Sequence, residues 1–86
     1  MSDVWYVYVI QSQVKRFRYT GMSTDIQQRL KEHNSGKVRS TKAFTPYNIL
    51  YSEKIGTRNE ARKREKYLKS YRGRQYVKNL FDSPPE

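Results

Sequence analysis

The chain has no cysteine and a single histidine, and these scarcities exclude several kinds of site. Without cysteine it can form neither a disulfide scaffold nor a thiolate metal centre, and a reducing compartment is compatible with its composition. With His33 as its only imidazole, it cannot build a metal centre from several histidines. A serine-type triad is also disfavoured, because the residue order around Ser23 and Asp25 does not suit one.

Long hydrophobic runs are absent as well. The most apolar segment, Val4 to Ile10, is far shorter than the ~20 residues that a membrane-spanning helix needs. It also lacks the flanking pattern of a signal peptide. We therefore expect a cytoplasmic protein with no membrane partner.

Acidic residues are scarce relative to basic ones. Eight Asp and Glu stand against 18 Lys and Arg, which gives a formal charge of +10 over 86 residues. The basic clusters are spread along the chain, which favours a basic surface on one folded domain over a disordered arm. A strong positive potential of this kind predicts a polyanionic partner, and nucleic acid is the natural one.

The first half of the chain reads as a β-hairpin followed by a helix. Val4 to Ile10 is rich in β-branched and aromatic residues, and a second strand is predicted at about residues 16–21. Because the polar link between them is short, an antiparallel pairing is favoured, and it would bring Tyr8 close to Tyr19. Alternation along the first strand places Tyr8 on one face of the sheet and its neighbours in sequence on the other.

Capping signals predict the helices. Thr24 to Gln27 fits a capping box that opens a helix ending near Asn34, and Thr57 to Glu60 fits a second box that opens a helix ending near Tyr71. Gly73 is expected to separate that helix from a final short one.

With a third strand at residues 48–53, the order is β-β-α-β-α-α. This order predicts an α+β fold in which helices flank a three-stranded antiparallel sheet. We assign residues 1–81 to a single domain and expect residues 82–86 to form a disordered C-terminal tail.

Two short tyrosine motifs carry the functional signal. Tyr6-Val7-Tyr8 and Tyr19-Thr20-Gly21 are followed in order by Arg29, His33 and Glu65. This succession resembles the signature of the GIY-YIG nuclease superfamily, in which two strands present tyrosines, the next helix presents an arginine and often a histidine, and a later helix presents a metal-binding glutamate.

The resemblance covers Val4 to Phe81 and implies a metal-dependent endonuclease of a similar fold. The first motif begins with Tyr6 and Val7 where the family has glycine and isoleucine, and Thr20 replaces another isoleucine; these are scaffold positions. The variant is similar to the small stand-alone branch related to junction-cutting, structure-specific nucleases. That branch implies cleavage of branched, flapped or damaged DNA in repair or recombination, with specificity supplied by the domain or by a protein partner.

Phosphodiester hydrolysis needs a positioned water, a base and positive charge near the phosphate. Tyr8 and Tyr19 are candidate bases or water-positioning groups, and the division of labour between them stays open. A free tyrosine has a pKa near 10, so a tyrosine base needs activation by a cation or metal. Arg29 suits the scissile phosphate because its planar fork matches two oxygens, and His33 suits phosphate orientation or proton transfer.

Glu65 is the candidate metal ligand. It lies at the border of the apolar stripe of its helix, and Mg²⁺ or Mn²⁺ is commonly held by one or two carboxylates together with waters and phosphate oxygens. The competing interpretation is an ordinary ion pair with Arg62 or Lys69. No dense group of acidic residues surrounds Glu65 in the sequence, which disfavours a two-metal site.

Further residues are predicted to support binding. The basic loop of residues 35–46 is expected to follow a phosphate backbone. The predicted nucleic-acid contacts are Lys37, Arg39, Lys42 and Arg62, and the predicted supporting residues are Gly21 and Asn79.

Two alternatives remain open from the sequence. One is a module of the same fold that binds nucleic acid without cutting it, and the other is a small basic RNA-binding protein. The second alternative would leave the ordered tyrosine, arginine and glutamate positions as a coincidence.

Overall fold

The computed structural model describes residues 3–82. The described elements, in chain order, are β1 (Trp5–Ser12), β2 (Arg18–Ser23), α1 (Ile26–Asn34), a short 3₁₀ turn (Lys42–Phe44), β3 (Tyr47–Gly56), α2 (Arg58–Lys69) and α3 (Tyr71–Phe81). This order confirms the predicted α+β fold. None of these helices is long and apolar enough to cross a membrane.

The three strands form one antiparallel sheet with β1 at its centre, in the order β2-β1-β3. Alternation along β1 divides its side chains between two cores, as the sequence predicts. Val7 and Val9 pack with α2 and α3, whereas Tyr8 and Ile10 pack with Tyr47 and the apolar side of α1. The sheet is therefore covered on both faces, and Tyr8 belongs to the face beneath α1.

The predicted N-cap of α2 is confirmed, and that of α1 is not. The box at Thr57 is confirmed, because the Thr57 hydroxyl accepts from the backbone N–H of Glu60 and the Glu60 carboxylate accepts from that of Thr57. The prediction that Thr24 caps α1 is wrong. Asp25 is the N-cap and its carboxylate accepts from the backbone N–H of Gln28 at 3.0 Å. The Asp25 carboxylate, one residue later than the predicted cap, satisfies one of the orphan N–H donors of the first turn.

The break between the last two helices was also misplaced. It lies at Ser70, whose hydroxyl accepts from the backbone N–H of Gly73 in the first turn of α3. Gly73 is buried inside the helix, where an added Cβ would stand 2.1 Å from the Tyr67 carbonyl oxygen and 2.4 Å from Leu68 Cα. This glycine is therefore required by the close approach of α3 to the end of α2 and does not end a helix.

β1 and β3 extend beyond their predicted C-terminal ends, to Ser12 and Gly56, and β2 lies two residues later than predicted. At the C-terminus, Asp82 follows α3 and accepts a 2.7 Å charged hydrogen bond from Arg18 on β2. The remainder of the predicted tail, residues 83–86, lies outside the described residues.

Candidate active site

Gly21 allows the two motif tyrosines to meet. It lies opposite Tyr8 in the β1–β2 ladder, while Tyr19 lies diagonally across from Tyr8. An added Cβ on Gly21 would stand 2.5 Å from the Tyr8 hydroxyl oxygen and 3.1 Å from Cε1 of Tyr19. The glycine is needed because the ring of Tyr8 crosses the neighbouring strand at this point.

His33 links Tyr8 to the loop that follows α1. Its side chain is fully buried, with Nε2 2.9 Å from the Tyr8 hydroxyl and Nδ1 2.8 Å from the Thr41 hydroxyl. Because the Thr41 hydroxyl donates to the Val38 carbonyl, it accepts from the Nδ1–H of His33. This assignment leaves Nε2 as the acceptor, and the Tyr8 hydroxyl donates to it.

The surroundings favour the neutral forms of both partners. Burial, reinforced by the nearby charge of Arg29, lowers the pKa of His33 below its ordinary value of 6.5. Burial raises the pKa of Tyr8 to about 12, although Arg29 pulls it down through a hydrogen bond and its charge. At neutral pH the pair is therefore a phenol that donates to a neutral imidazole.

Arg29 lies beside this pair, one helical turn before His33. Its Nη1 donates to the Glu32 carboxylate at 2.7 Å, and that bond is the main reason that the pKa of Arg29 is raised. The side chain is 37% exposed, so the guanidinium is both anchored and open to a ligand. Arg29 thus places a fixed positive charge at the Tyr8 hydroxyl.

Glu65 lies on α2, close enough to Tyr8 for its charge to act on the phenol. Its charge contributes to the raised pKa of Tyr8, and its Oε2 lies 3.7 Å from Nζ of Lys69. Lys69 in turn lies 5.8 Å from the centre of the Tyr19 ring. Of the five residues predicted as catalytic, Tyr8, Tyr19, Arg29 and His33 therefore lie together on the α1 side of the sheet. Glu65 lies on α2 and is connected to them through Lys69 and Tyr19.

The Glu65 carboxylate is partly accessible and is not held by a short hydrogen bond, as a metal ligand must be. It is 20% exposed, and its ion pair with Lys69 is too long for a hydrogen bond. Within residues 3–82 no group of three His, Asp or Glu residues could hold a metal ion. The residues present fit a cation that takes one carboxylate and completes its shell with waters and phosphate oxygens.

The remaining predicted residues lie farther out. Lys37, Arg39 and Lys42 are exposed in the loop after α1, Arg62 is exposed on α2, and Asn79 is exposed on α3. Their roles as nucleic-acid contacts or supporting residues stay predictions.

Two residues at the site were missed by the sequence analysis. Glu32 anchors Arg29, and its position three residues later on a helix was a usable signal for an ion pair. Thr41 is fully buried and fixes the proton on Nδ1 of His33. No local pattern marks Thr41, because its partner lies eight residues away across an irregular loop.

The buried histidine leads to a prediction about stability and pH. His33 is the only histidine, and its pKa is lower in the folded chain than the ordinary 6.5, so the unfolded chain binds its proton more readily. The free energy of unfolding should be constant above about pH 7 and should fall as the pH drops below 6.5, by at most about 1.4 kcal/mol per pH unit.

Denaturant titrations between pH 5 and 7 measure this slope, with His33→Gln as the matched variant. The variant is expected to be less stable but to show a nearly flat profile in that window. An unchanged slope in the variant would mean that another group is responsible.

Comparison with known proteins identifies the family. Residues 4–78 match the model of the GIY-YIG catalytic domain. The UPF0213 protein of Haloquadratum walsbyi is 38% identical over 72 residues, which are 83% of this chain and 80% of that protein. The UPF0213 protein of Staphylococcus epidermidis is 35% identical over 79 residues, 91% and 95% of the two chains. No solved structure gives a significant match. The chain belongs to the GIY-YIG catalytic-domain family, whose members are nucleases that generally depend on a divalent metal.

Proposed function

We propose that this protein is a metal-dependent endonuclease that hydrolyses phosphodiester bonds in branched, flapped or damaged DNA, and that Tyr8, Tyr19, Arg29, His33 and Glu65 carry the reaction. The observation that carries the proposal is the convergence on one hydroxyl. The Tyr8 hydroxyl donates to His33, and its pKa is lowered by the charge of Arg29 and raised by that of Glu65. A tyrosine that only packed in the core would not need an acid, a base and a cation around its oxygen.

Tyr8 is the tyrosine that we assign as the base. Its own proton points at Nε2 of His33 and Arg29 donates a hydrogen bond to its oxygen, which leaves one lone pair to accept a hydrogen bond from a water. As the water attacks phosphorus, Tyr8 takes the water proton and passes its own to His33. This relay avoids a free phenolate, which the pKa of about 12 makes rare at neutral pH.

The other groups position the phosphate. Arg29 has guanidinium nitrogens beyond the one bound to Glu32, and these can bind the oxygens of the scissile phosphate and offset its growing charge. Tyr19 lies with its ring centre 5.0 Å from that of His33, where it can help to position the attacking water or the phosphate. A divalent cation, Mg²⁺ or Mn²⁺, held by Glu65 would supply Lewis-acid stabilisation of the departing oxygen.

The experiment is cleavage of a labelled panel containing duplex, single strand, flap, fork and four-way junction, with Mg²⁺ or Mn²⁺ and with a chelator. We expect metal-dependent cleavage that is faster on the branched substrates than on plain duplex. A Glu65→Ala preparation purified in parallel controls for contaminating nucleases.

The same panel distinguishes the alternatives. Tight binding to every substrate without cleavage would favour a non-catalytic binding module. Binding restricted to matched RNA versions of the panel would favour an RNA-binding protein. Strong salt dependence alone would discriminate nothing, because phosphate neutralisation gives it to any basic protein.

A further inference from the structure

Two adjoining hollows lie beside Tyr19, on the side of β2 that faces α3. The first has a volume of about 590 Å³ and is lined in part by Tyr19, Lys69 and Tyr71. The second has a volume of about 750 Å³ and is lined in part by Arg16 and Phe17. Because Arg18, Arg74, Lys78 and Asp82 line both hollows, the two form one continuous surface, which we call the β2–α3 groove.

The charge of this groove is strongly positive. Its lining residues include five cations, Arg16, Arg18, Lys69, Arg74 and Lys78, and one carboxylate, that of Asp82. Asp82 is already paired with Arg18 at 2.7 Å. Lys69 lies 3.7 Å from Glu65, and within residues 3–82 the lining holds no acidic residue besides Asp82. The groove therefore keeps an excess of positive charge that attracts an anion with several charges.

Arg18 is held in place within the groove. Its Nη2 donates to Asp82, and its Nε donates to the Gln11 side chain at 3.0 Å. These bonds fix the guanidinium at the junction of the two hollows, which reduces the entropy lost when it contacts a ligand. A cation that is fixed before binding is better suited to contact one phosphate of a nucleic-acid backbone than to attract mobile counterions.

The floor and rim of the first hollow suit a nucleotide better than a simple anion. Val9, Leu68 and Val77 give the hollow an apolar floor, and the ring of Tyr71 stands 70% exposed at its rim beside the cations. Aromatic rings beside a row of cations provide stacking surfaces for bases, and stacking contributes nothing to the binding of an inorganic ion.

We infer that the β2–α3 groove binds the nucleotides that lie on one side of the scissile phosphate, with their phosphates on Arg18, Arg74 and Lys78 and a base against Tyr71. Tyr19 lines the first hollow and also contacts His33, so a strand leaving the active site enters the groove directly. This inference rests on the proposed function and names the surface that holds its substrate. It adds a binding site that the basic loop of residues 35–46 does not supply.

The test compares two double variants in a Glu65→Gln background, so that binding is measured without cleavage. Arg74→Gln with Lys78→Gln removes two charges from the groove. Lys54→Gln with Lys63→Gln removes the same charge from exposed positions on β3 and α2, outside the groove. The probe is a labelled flap oligonucleotide, and its Kd is measured from 50 to 300 mM salt.

The groove variant is expected to bind about tenfold more weakly, and its slope of log K against log salt should fall by about 1.4 to 1.8, the value for two phosphate contacts. The control variant should change the Kd by less than about threefold. Shortening the oligonucleotide on one side of the flap junction should remove the difference between the groove variant and its parent, while shortening it on the other side should not.

Equal losses in the two double variants, or a loss that no shortening removes, would overturn the inference. So would groove-dependent binding of an acidic protein in place of the oligonucleotide. If the unmodified chain cuts nothing but the groove effect is present, the proposed catalysis fails and the groove stands. If the chain cuts its substrate and the groove variant behaves like its control, the inference about the groove fails and the proposed catalysis stands.

Discussion

Glu65→Gln is expected to lower the single-turnover cleavage rate about a thousandfold, because losing roughly 4 kcal/mol of charge stabilisation by a bound cation has that effect. Glutamine keeps the size of the side chain and its place on α2 but removes the negative charge that a cation requires. The affinity for uncut DNA should change little, since the substitution removes a single negative charge and the basic surface supplies the binding. Added Mg²⁺ or Mn²⁺ should not restore the rate.

Glu60→Gln is the matched control. It removes the same charge from the same helix, and glutamine can also serve at this position of a capping box. Circular dichroism and thermal unfolding of both variants establish that they fold. A Glu65→Gln enzyme that retains more than a tenth of the rate would mean that Glu65 is only the partner of Lys69, which is the competing interpretation of this residue.

The sequence predicted the elements whose causes are local. The alternation along β1 assigned Tyr8 to the correct face, and the box at Thr57 gave the start of α2, because both depend on residues a few positions apart. The hairpin prediction brought Tyr8 near Tyr19 for the same reason. Such features follow from side-chain period and capping, which a sequence displays directly.

What the sequence did not reveal depends on partners distant along the chain. From the sequence, Gly73 was predicted to separate two helices. The structure shows that the backbone of Tyr67 and Leu68 leaves no room for a Cβ at this position. The pairing of Arg18 with Asp82 joins positions 64 apart, and it turns the end of α3 into one wall of the groove. The candidate catalytic residues were predicted from the resemblance to a family, whereas the order of hydrogen bonds from Tyr8 through His33 to Thr41 required the tertiary structure.

Tyr8→Phe is expected to reduce the cleavage rate by about 10² to 10⁴, the range for removing a general base, with little effect on the affinity for uncut DNA. Phenylalanine keeps the ring that packs beneath α1 but leaves Nε2 of His33 without its donor. Tyr6→Phe is the control, because it removes a hydroxyl from the same strand two residues earlier. Similar losses in both variants would indicate a general effect on the sheet and would argue against a role for Tyr8 as the base.

The pH dependence of kcat/KM tests how Tyr8 acts. If the reaction needed a phenolate formed beforehand, the pKa of about 12 would make the rate rise tenfold per pH unit from pH 7 to 10. In the proton relay, the rate depends on neutral His33 as the acceptor. His33 has a pKa below 6.5, so the rate should be flat from about pH 7 to 10 and should fall as protonation of His33 blocks the relay at lower pH. A steady rise to pH 10 would instead assign the activation of Tyr8 to the cation at Glu65 and to Arg29, and would leave His33 with a purely orienting role.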